Sequence, residues 1–144
     1  MRTNGLPQAA LVLGLGRSGK AVAGMLATRG VRLAVSDDDA GLLEAWPGEG
    51  ERLDQTSALG CLDSFDTVVV SPGVPRSHPL LAAATAAGVA VVSELELAAG
   101  LLEAPVIAIS GTNGKSTTVS LLAGMLEAAG LRAPAAGNIG RPLS

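Results

Sequence analysis

Two glycine-rich loops constrain this 144-residue chain more than any other feature, because each sits between a short apolar run and a stretch with helical spacing. In the first, Ala10–Leu13 leads into Gly14-Leu15-Gly16-Arg17-Ser18-Gly19, and the spacing predicts a helix over Ser18–Arg29 that closes at Gly30. In the second, Val106-Ile107-Ala108-Ile109 leads into Gly111-Thr112-Asn113-Gly114-Lys115-Ser116-Thr117-Thr118. A helix is predicted to follow, with Val119, Leu122, Ala123 and Leu126 on one face and Gly130 as its stop. Short apolar runs bounded by turn residues read as buried strands. A helix is the usual connection that carries a chain back to begin the next parallel strand.

The rest of the chain keeps the same alternation. Val31–Val35 reads as a second strand, and Thr67–Val70 as a third, stopped by Ser71-Pro72-Gly73. Pro79–Ala87 reads as a helix ending at Gly88, Val89–Val92 as a fourth strand, and Glu94–Leu102 as a helix before the joint Glu103-Ala104-Pro105. The segment 38–64 gives no clean period, and only Leu42–Trp46 before Pro47 suggests a short helix. This pattern predicts an α/β fold, with a Rossmann-like parallel sheet over 1–102, a linker at 103–105 and a phosphate-loop unit over 106–144. A phosphate-loop domain needs several strands and a metal-holding carboxylate on a second strand. From Lys115 on, the only acid is Glu127, within the predicted helix. The expectation is therefore an N-terminal stretch of a longer protein, with one whole domain and the truncated start of another.

Composition narrows the function classes. Apolar residues make up 48% of the chain, enough for a core, but with one Phe, one Trp and no Tyr that core must be built from Ala, Val and Leu. Net charge is −3 and no basic run occurs, so the electrostatic footprint of a nucleic-acid binder is missing. Arg2 and Ala9–Leu15 only faintly imitate a signal peptide, and the uncharged stretch Pro79–Ser93 is broken by Thr85 and Gly88. It falls short of the roughly 20 apolar residues of a membrane span. Neither nucleic acid nor membrane is expected as a partner. Cys61 is the single cysteine, which excludes an intrachain disulfide and fits a reducing cytoplasm.

The second loop carries a recognisable chemistry. Glycines let backbone N–H groups close around phosphate oxygens, Lys115 brings a point charge to the outer phosphates, and the Ser116 hydroxyl is placed to ligate Mg²⁺. The helix N-terminus adds partial positive charge at the same spot. The common G-x-x-x-x-G-K-[ST] spacing would need glycine at 109, where Ile109 stands, so the loop is a shorter G-x-x-G-K-S variant. It points to a nucleoside triphosphate. The first loop is G-x-G-x-x-G, and Asp37 ends the second strand where a dinucleotide-binding unit places its ribose carboxylate.

Taken in order, these elements resemble the Mur ligase family, and within it the D-glutamate-adding branch. The resemblance runs through Gly14–Gly19, Val69-Val70-Ser71-Pro72-Gly73-Val74-Pro75, Ser93-Glu94-Leu95-Glu96-Leu97, the short phosphate loop Gly111–Thr118 and Gly137-Asn138-Ile139-Gly140. Asn113 separates the chain from the L-alanine-adding branch, which usually has His there. The resemblance implies a cytoplasmic, three-domain, ATP-dependent amide ligase of peptidoglycan synthesis. It would join D-glutamate to UDP-N-acetylmuramoyl-L-alanine through an acyl phosphate, with ATP and Mg²⁺. It further implies that Gly111, Thr112, Asn113, Gly114, Lys115, Ser116 and Thr117 hold ATP, with Lys115 and Ser116 serving catalysis and Ser116 the metal. Arg17, Ser18, Gly19, Asp37, Ser71, Pro72, Gly73 and Asn138 would line the UDP-substrate path.

Competing readings are another Mur ligase or a folylpolyglutamate synthetase-like ligase, an NAD-dependent oxidoreductase built on Gly14–Gly19 and Asp37, and a UDP-sugar-binding module without chemistry. The oxidoreductase reading leaves the Lys115 loop unexplained. Family members often carry a hydroxyl residue and Arg near the position of Asp37-Asp38-Asp39, and here Asp38 and Asp39 read as a solvated acidic turn. His78, beside Pro79, reads as a turn or helix-start residue rather than an acid–base group. Cys61 reads as a small buried residue.

Overall fold

The computed structural model describes residues 5–137 and 142–144. They fall into two compact units, one running to Leu101 and also taking in Ser144, the other spanning Leu102–Leu143.

The first unit is α/β. Its strands are β1 (Ala9–Leu13), β2 (Arg32–Ser36), β3 (Glu51–Arg52), β4 (Thr67–Val70) and β5 (Ala90–Ser93). Its helices are α1 (Arg17–Thr28), α2 (Ala40–Glu44), α3 (Gln55–Gly60), α4 (Pro79–Ala86) and α5 (Glu94–Ala99), with a 3₁₀ turn at Leu62–Ser64. The five strands form one sheet in the order β3-β2-β1-β4-β5. Every pairing is parallel, with Leu11 beside Ala34 on one side and Val68 on the other.

Side-chain alternation along β1 builds two cores. Ala9, Leu11 and Leu13 point to the face covered by Ala58, Leu62, Phe65, Leu80 and Ala84. Ala10 and Val12 point to the face covered by Val22, Ala23 and Leu26 of α1, together with Trp46 and Leu97. All five β1 residues are buried, which explains why the strand reads as an unbroken apolar run rather than an alternating one. Burying each Leu or Val side chain contributes roughly 1.5–3 kcal/mol.

The first, second, third and fourth sequence-predicted strands are present within a residue or so at their ends, as are the helices after the first and third. Gly30 and Gly88 follow their helices at positive φ, as helix stops do. Within 38–64 the structure departs from expectation. The short helix begins two residues earlier, at Ala40, because the Asp39 side chain caps it by accepting from the Gly41 and Leu42 amides. β3 and α3 were not legible. β3 is only two residues, both exposed, so it carries no apolar run. α3 is six residues, held at its start by Asp54, whose carboxylate accepts from the Ser57 N–H. That amide, and then the Ser57 hydroxyl, hold the Asp54 carboxyl below its ordinary range.

In the second unit, α6 (Lys115–Ala128) is the one regular element among the described residues. The strand predicted at Val106–Ile109 is not formed. A strand exists through its ladder partners, and no described segment of this unit offers one. α6 is capped by Ala129 and followed by Gly130 at φ +81°, where the sequence placed its stop.

Leu11→Ala should destabilise the first unit by about 2–5 kcal/mol, because the fully buried site between two neighbouring strands cannot collapse. Urea unfolding followed by the fluorescence of Trp46, the single tryptophan and a core residue, reads this directly.

Candidate functional site at the sheet switch point

From β1 the chain winds outward to β2 and β3, whereas β4 and β5 lie on the other side. The connections after β1 and β4 therefore diverge and leave a crevice at the carboxyl ends of these two strands, where ligands of open parallel sheets bind. The loops 14–16 and 71–78 flank it, and the loop 37–39 after β2 adjoins it.

The glycine loop is built by close approach. Gly14 has φ +90°, and a Cβ there would stand 2.7 Å from Val74 Cγ2 and 3.1 Å from Ser71 Cβ. A Cβ on Gly19 would fall 1.7 Å from the Gly14 carbonyl oxygen, so the first turn of α1 sits directly on the loop. Gly16 differs: a Cβ there would meet nothing within 4 Å. It is the N-cap of α1, no side chain caps the helix, and no acid lies in its first turn. The first-turn amides are left to a ligand or to water, and the end of a 12-residue helix supplies partial positive charge. Arg17 is exposed beside them, Ser18 is half-buried and Gly19 buried. This set of donors fits a phosphate or diphosphate.

Neighbouring loops brace the glycine loop. Ser71 is buried, and its hydroxyl donates to the Gly14 carbonyl at 2.7 Å while its N–H donates to Leu13 O at 3.0 Å. Gly14 N–H donates to Ser36 O at 2.8 Å. The Asp37 carboxylate accepts from the Leu15 N–H through Oδ2 and from the Asp39 N–H through Oδ1 at 2.8 Å. Pro72 and Gly73 are exposed at the crevice edge.

Thus Arg17, Ser18 and Gly19 of the first turn of α1, and Asp37, Ser71, Pro72 and Gly73 of two adjoining loops, lie at one sheet end. Within this group Ser71 and Asp37 hold the loop's backbone, whereas Arg17 and the first-turn amides face outward. Asn138 lies outside the described residues.

Three residues, Asp39, Asp38 and Cys61, have settings that local sequence does not convey. Asp39 is exposed, as expected of a solvated acidic turn, and it also caps α2. Asp38 carries a specific partner, because its Oδ1 lies 3.0 Å from His78 Nε2. His78 caps α4, accepting from the Leu80 N–H at 3.2 Å, as the His-Pro pair suggested. The pairing with Asp38 spans 40 residues and left no local signal. Cys61 is half-buried rather than buried, at the end of α3, where its thiol donates to Ser57 O at 3.1 Å.

The second glycine loop belongs to the second unit. Gly111 and Gly114 have φ +154° and +76°, and Gly114 is the N-cap of α6 with no side-chain cap. Lys115 Nζ folds back to donate to the carbonyls of Gly111 and, at 3.4 Å, Thr112. The Thr118 hydroxyl donates to Gly114 O at 2.9 Å. Residues Gly111, Thr112, Asn113, Gly114, Lys115, Ser116 and Thr117 are all exposed. The uncapped amides and the Lys115 cation suit nucleotide phosphates. Among the described residues no group of three His, Cys, Asp or Glu could hold a metal.

The doubly wound parallel sheet with an uncapped helix end at its switch point defines a Rossmann-like α/β domain. Residues 8–93 match the family described as Mur ligase MurD-like, N-terminal domain, and the chain belongs to that family. It is similar to the UDP-N-acetylmuramoylalanine–D-glutamate ligase of Trichlorobacter lovleyi, at 46% identity over 138 residues, covering 92% of this chain and 31% of that protein. It is also similar to the proteins of the same name from Pelobacter propionicus, at 43% over 139 residues with 92% and 31% covered, and Mycolicibacterium vanbaalenii, at 43% over 143 residues with 94% and 30% covered. The chain thus spans about a third of the length of these curated relatives. No helix among the described residues is long and apolar enough to cross a membrane.

The two glycines should separate folding from binding. Gly19→Ala should cost at least about 1–3 kcal/mol, because the clash is with backbone. Gly16→Ala should stay within about 1 kcal/mol of the parent while weakening any phosphate-bearing ligand at the α1 amides. Thermal melts paired with UDP titration distinguish the two effects.

Proposed function

We propose that this chain supplies the UDP-substrate-binding part and the phosphate loop of an ATP-dependent, cytoplasmic ligase of peptidoglycan synthesis that adds D-glutamate to UDP-N-acetylmuramoyl-L-alanine. On this reading 1–102 is the UDP-substrate domain, 103–105 a linker and 106–144 the phosphate-loop segment of the ATP-binding domain. The carrying observation is the uncapped start of α1 beside Arg17, set at the switch point of a sheet whose family is that of the D-glutamate-adding Mur ligases. Those amides and the guanidinium would take the diphosphate, and Gly73 and Asn138 would follow the sugar away from it.

The same geometry gives a nicotinamide dinucleotide less support than a UDP substrate, although each Asp37 oxygen keeps a second acceptor site. The dinucleotide fingerprint needs a carboxylate turned to the ribose hydroxyls. Here Asp37 has given one oxygen to the Leu15 amide and the other to the Asp39 amide.

At the second loop, ATP would supply the phosphoryl group that turns the substrate carboxylate into an electrophile. The loop amides from Asn113 to Thr117 would cradle its phosphates, Lys115 would balance charge on the outer ones, and Ser116 would give Mg²⁺ its protein hydroxyl. The protein's work in such a step is positioning and charge compensation.

Calorimetry should show UDP and UDP-N-acetylmuramoyl-L-alanine binding this chain and NAD failing to compete. Tight NAD binding without a response to UDP would reverse the proposal. Joined to the remaining length of a relative such as the Trichlorobacter lovleyi ligase, the chain should support D-glutamate-dependent ADP release. In that chimera Lys115→Ala should lower turnover by about 10²-fold or more while leaving UDP binding near normal. Unchanged turnover would remove Lys115 from its role.

A further inference from the structure

The contact between His78 and Asp38 joins two loops that both bear on the glycine loop. His78 is only 4% exposed, while the side chain of Asp38 is 65% exposed. Nδ1 of His78 accepts the Leu80 N–H at the start of α4, which leaves Nε2 as the N–H that donates to Asp38 Oδ1 at 3.0 Å. The ring is therefore set by the helix cap and aims its proton at the carboxylate.

Asp38 follows Asp37, whose two oxygens hold the amides of Leu15 and Asp39. Leu15 is fully buried and leads into Gly16 and the first turn of α1. On the other side, His78 ends the loop that starts at Ser71, and the Ser71 hydroxyl holds the Gly14 carbonyl at 2.7 Å. The contacts close a circuit: Leu15 to Asp37, Asp38 to His78, back along the loop to Ser71, and from Ser71 to Gly14, the neighbour of Leu15. Three loops that diverge from the sheet are tied into one ring by side chains.

We infer that His78 and Asp38 form a positioning strut, which holds the loop 37–39 against α4 so that Asp37 keeps the Leu15 amide and the α1 amides stay aimed at the diphosphate of the UDP substrate. This inference rests on the proposed UDP site. Neither residue touches substrate in this scheme. The strut acts through Asp37 and the glycine loop. Its cost to the fold is small at the Asp38 end, because that carboxylate is mostly in water.

Asp38→Ala removes the strut without touching the core or the α4 cap. His78→Asn keeps a capping acceptor but is too short to reach Asp38. Each should weaken UDP binding by roughly three- to tenfold, the range of one ordinary lost hydrogen bond, as suits a carboxylate that is mostly in water. The double variant should be no worse than either single one, and Asp38→Asn, which keeps an acceptor, should restore binding to near the parent value. The melting temperature of Asp38→Ala should stay close to the parent's. Hydrogen exchange on the free chain supplies a ligand-independent reading: the Leu15 amide should lose protection in Asp38→Ala and regain it in Asp38→Asn. Parent-like UDP binding in Asp38→Ala, or losses that add in the double variant, would overturn the strut while leaving the UDP site intact. A parent chain blind to UDP would overturn the site and, with it, the strut's role in binding, even if Leu15 protection still responded.

Discussion

The first unit depends on one constraint, the burial of β1 on both faces with a parallel strand on each side. Five consecutive residues, Ala9 to Leu13, have neither a solvent-exposed side chain nor a free sheet edge. The strand therefore takes part in both cores at once, through Leu11 and Leu13 on one face and Ala10 and Val12 on the other. Everything at the site follows from where that strand ends. Its last residue, Leu13, is the point from which the chain turns toward α1 on one face while β4 feeds α4 on the other. The crevice is the gap left by that divergence.

Backbone at such a gap is costly to leave unpaired, and the chain closes it with short polar side chains. Ser71 and Asp37 each reach one peptide group of the glycine loop, and Ser36 contributes a carbonyl. The loop is thereby held without using the first amides of α1. That division separates the groups that build the loop from those left for a ligand. It also explains why glycine is required at 14 and 19, where other atoms are in contact, and serves a different purpose at 16, where open space lies over the helix end.

The two glycine loops are alike in sequence logic, but only the first sits at the end of a formed strand. Gly114 starts α6 in the left-handed region, and Lys115 turns back on its own loop carbonyls, so the loop and its helix form from local contacts alone. The run Val106–Ile109 carries the apolar, β-branched signature of a strand yet is not one, because ladder hydrogen bonds require a partner strand. Val106, Ile107, Leu121 and Met125 are correspondingly exposed.

Much was therefore decided locally. Apolar runs, helix periods and the stops at Gly30, Gly88 and Gly130 determined the strand–helix alternation. The spacing of Gly14, Gly16 and Gly19, and of Gly111, Gly114, Lys115 and Ser116, marked the two glycine loops that open α1 and α6. The His-Pro pair marked the start of α4. These signals are readable because their physics acts within a few residues. Tertiary structure alone decided the strand order, the two-residue β3, the turning of Asp37 inward to the Leu15 amide and the reach of His78 to Asp38. Each of these joins residues more than 20 positions apart, or pairs a segment too short to carry a pattern, so the interaction comes into being only when the sheet brings the loops to one end.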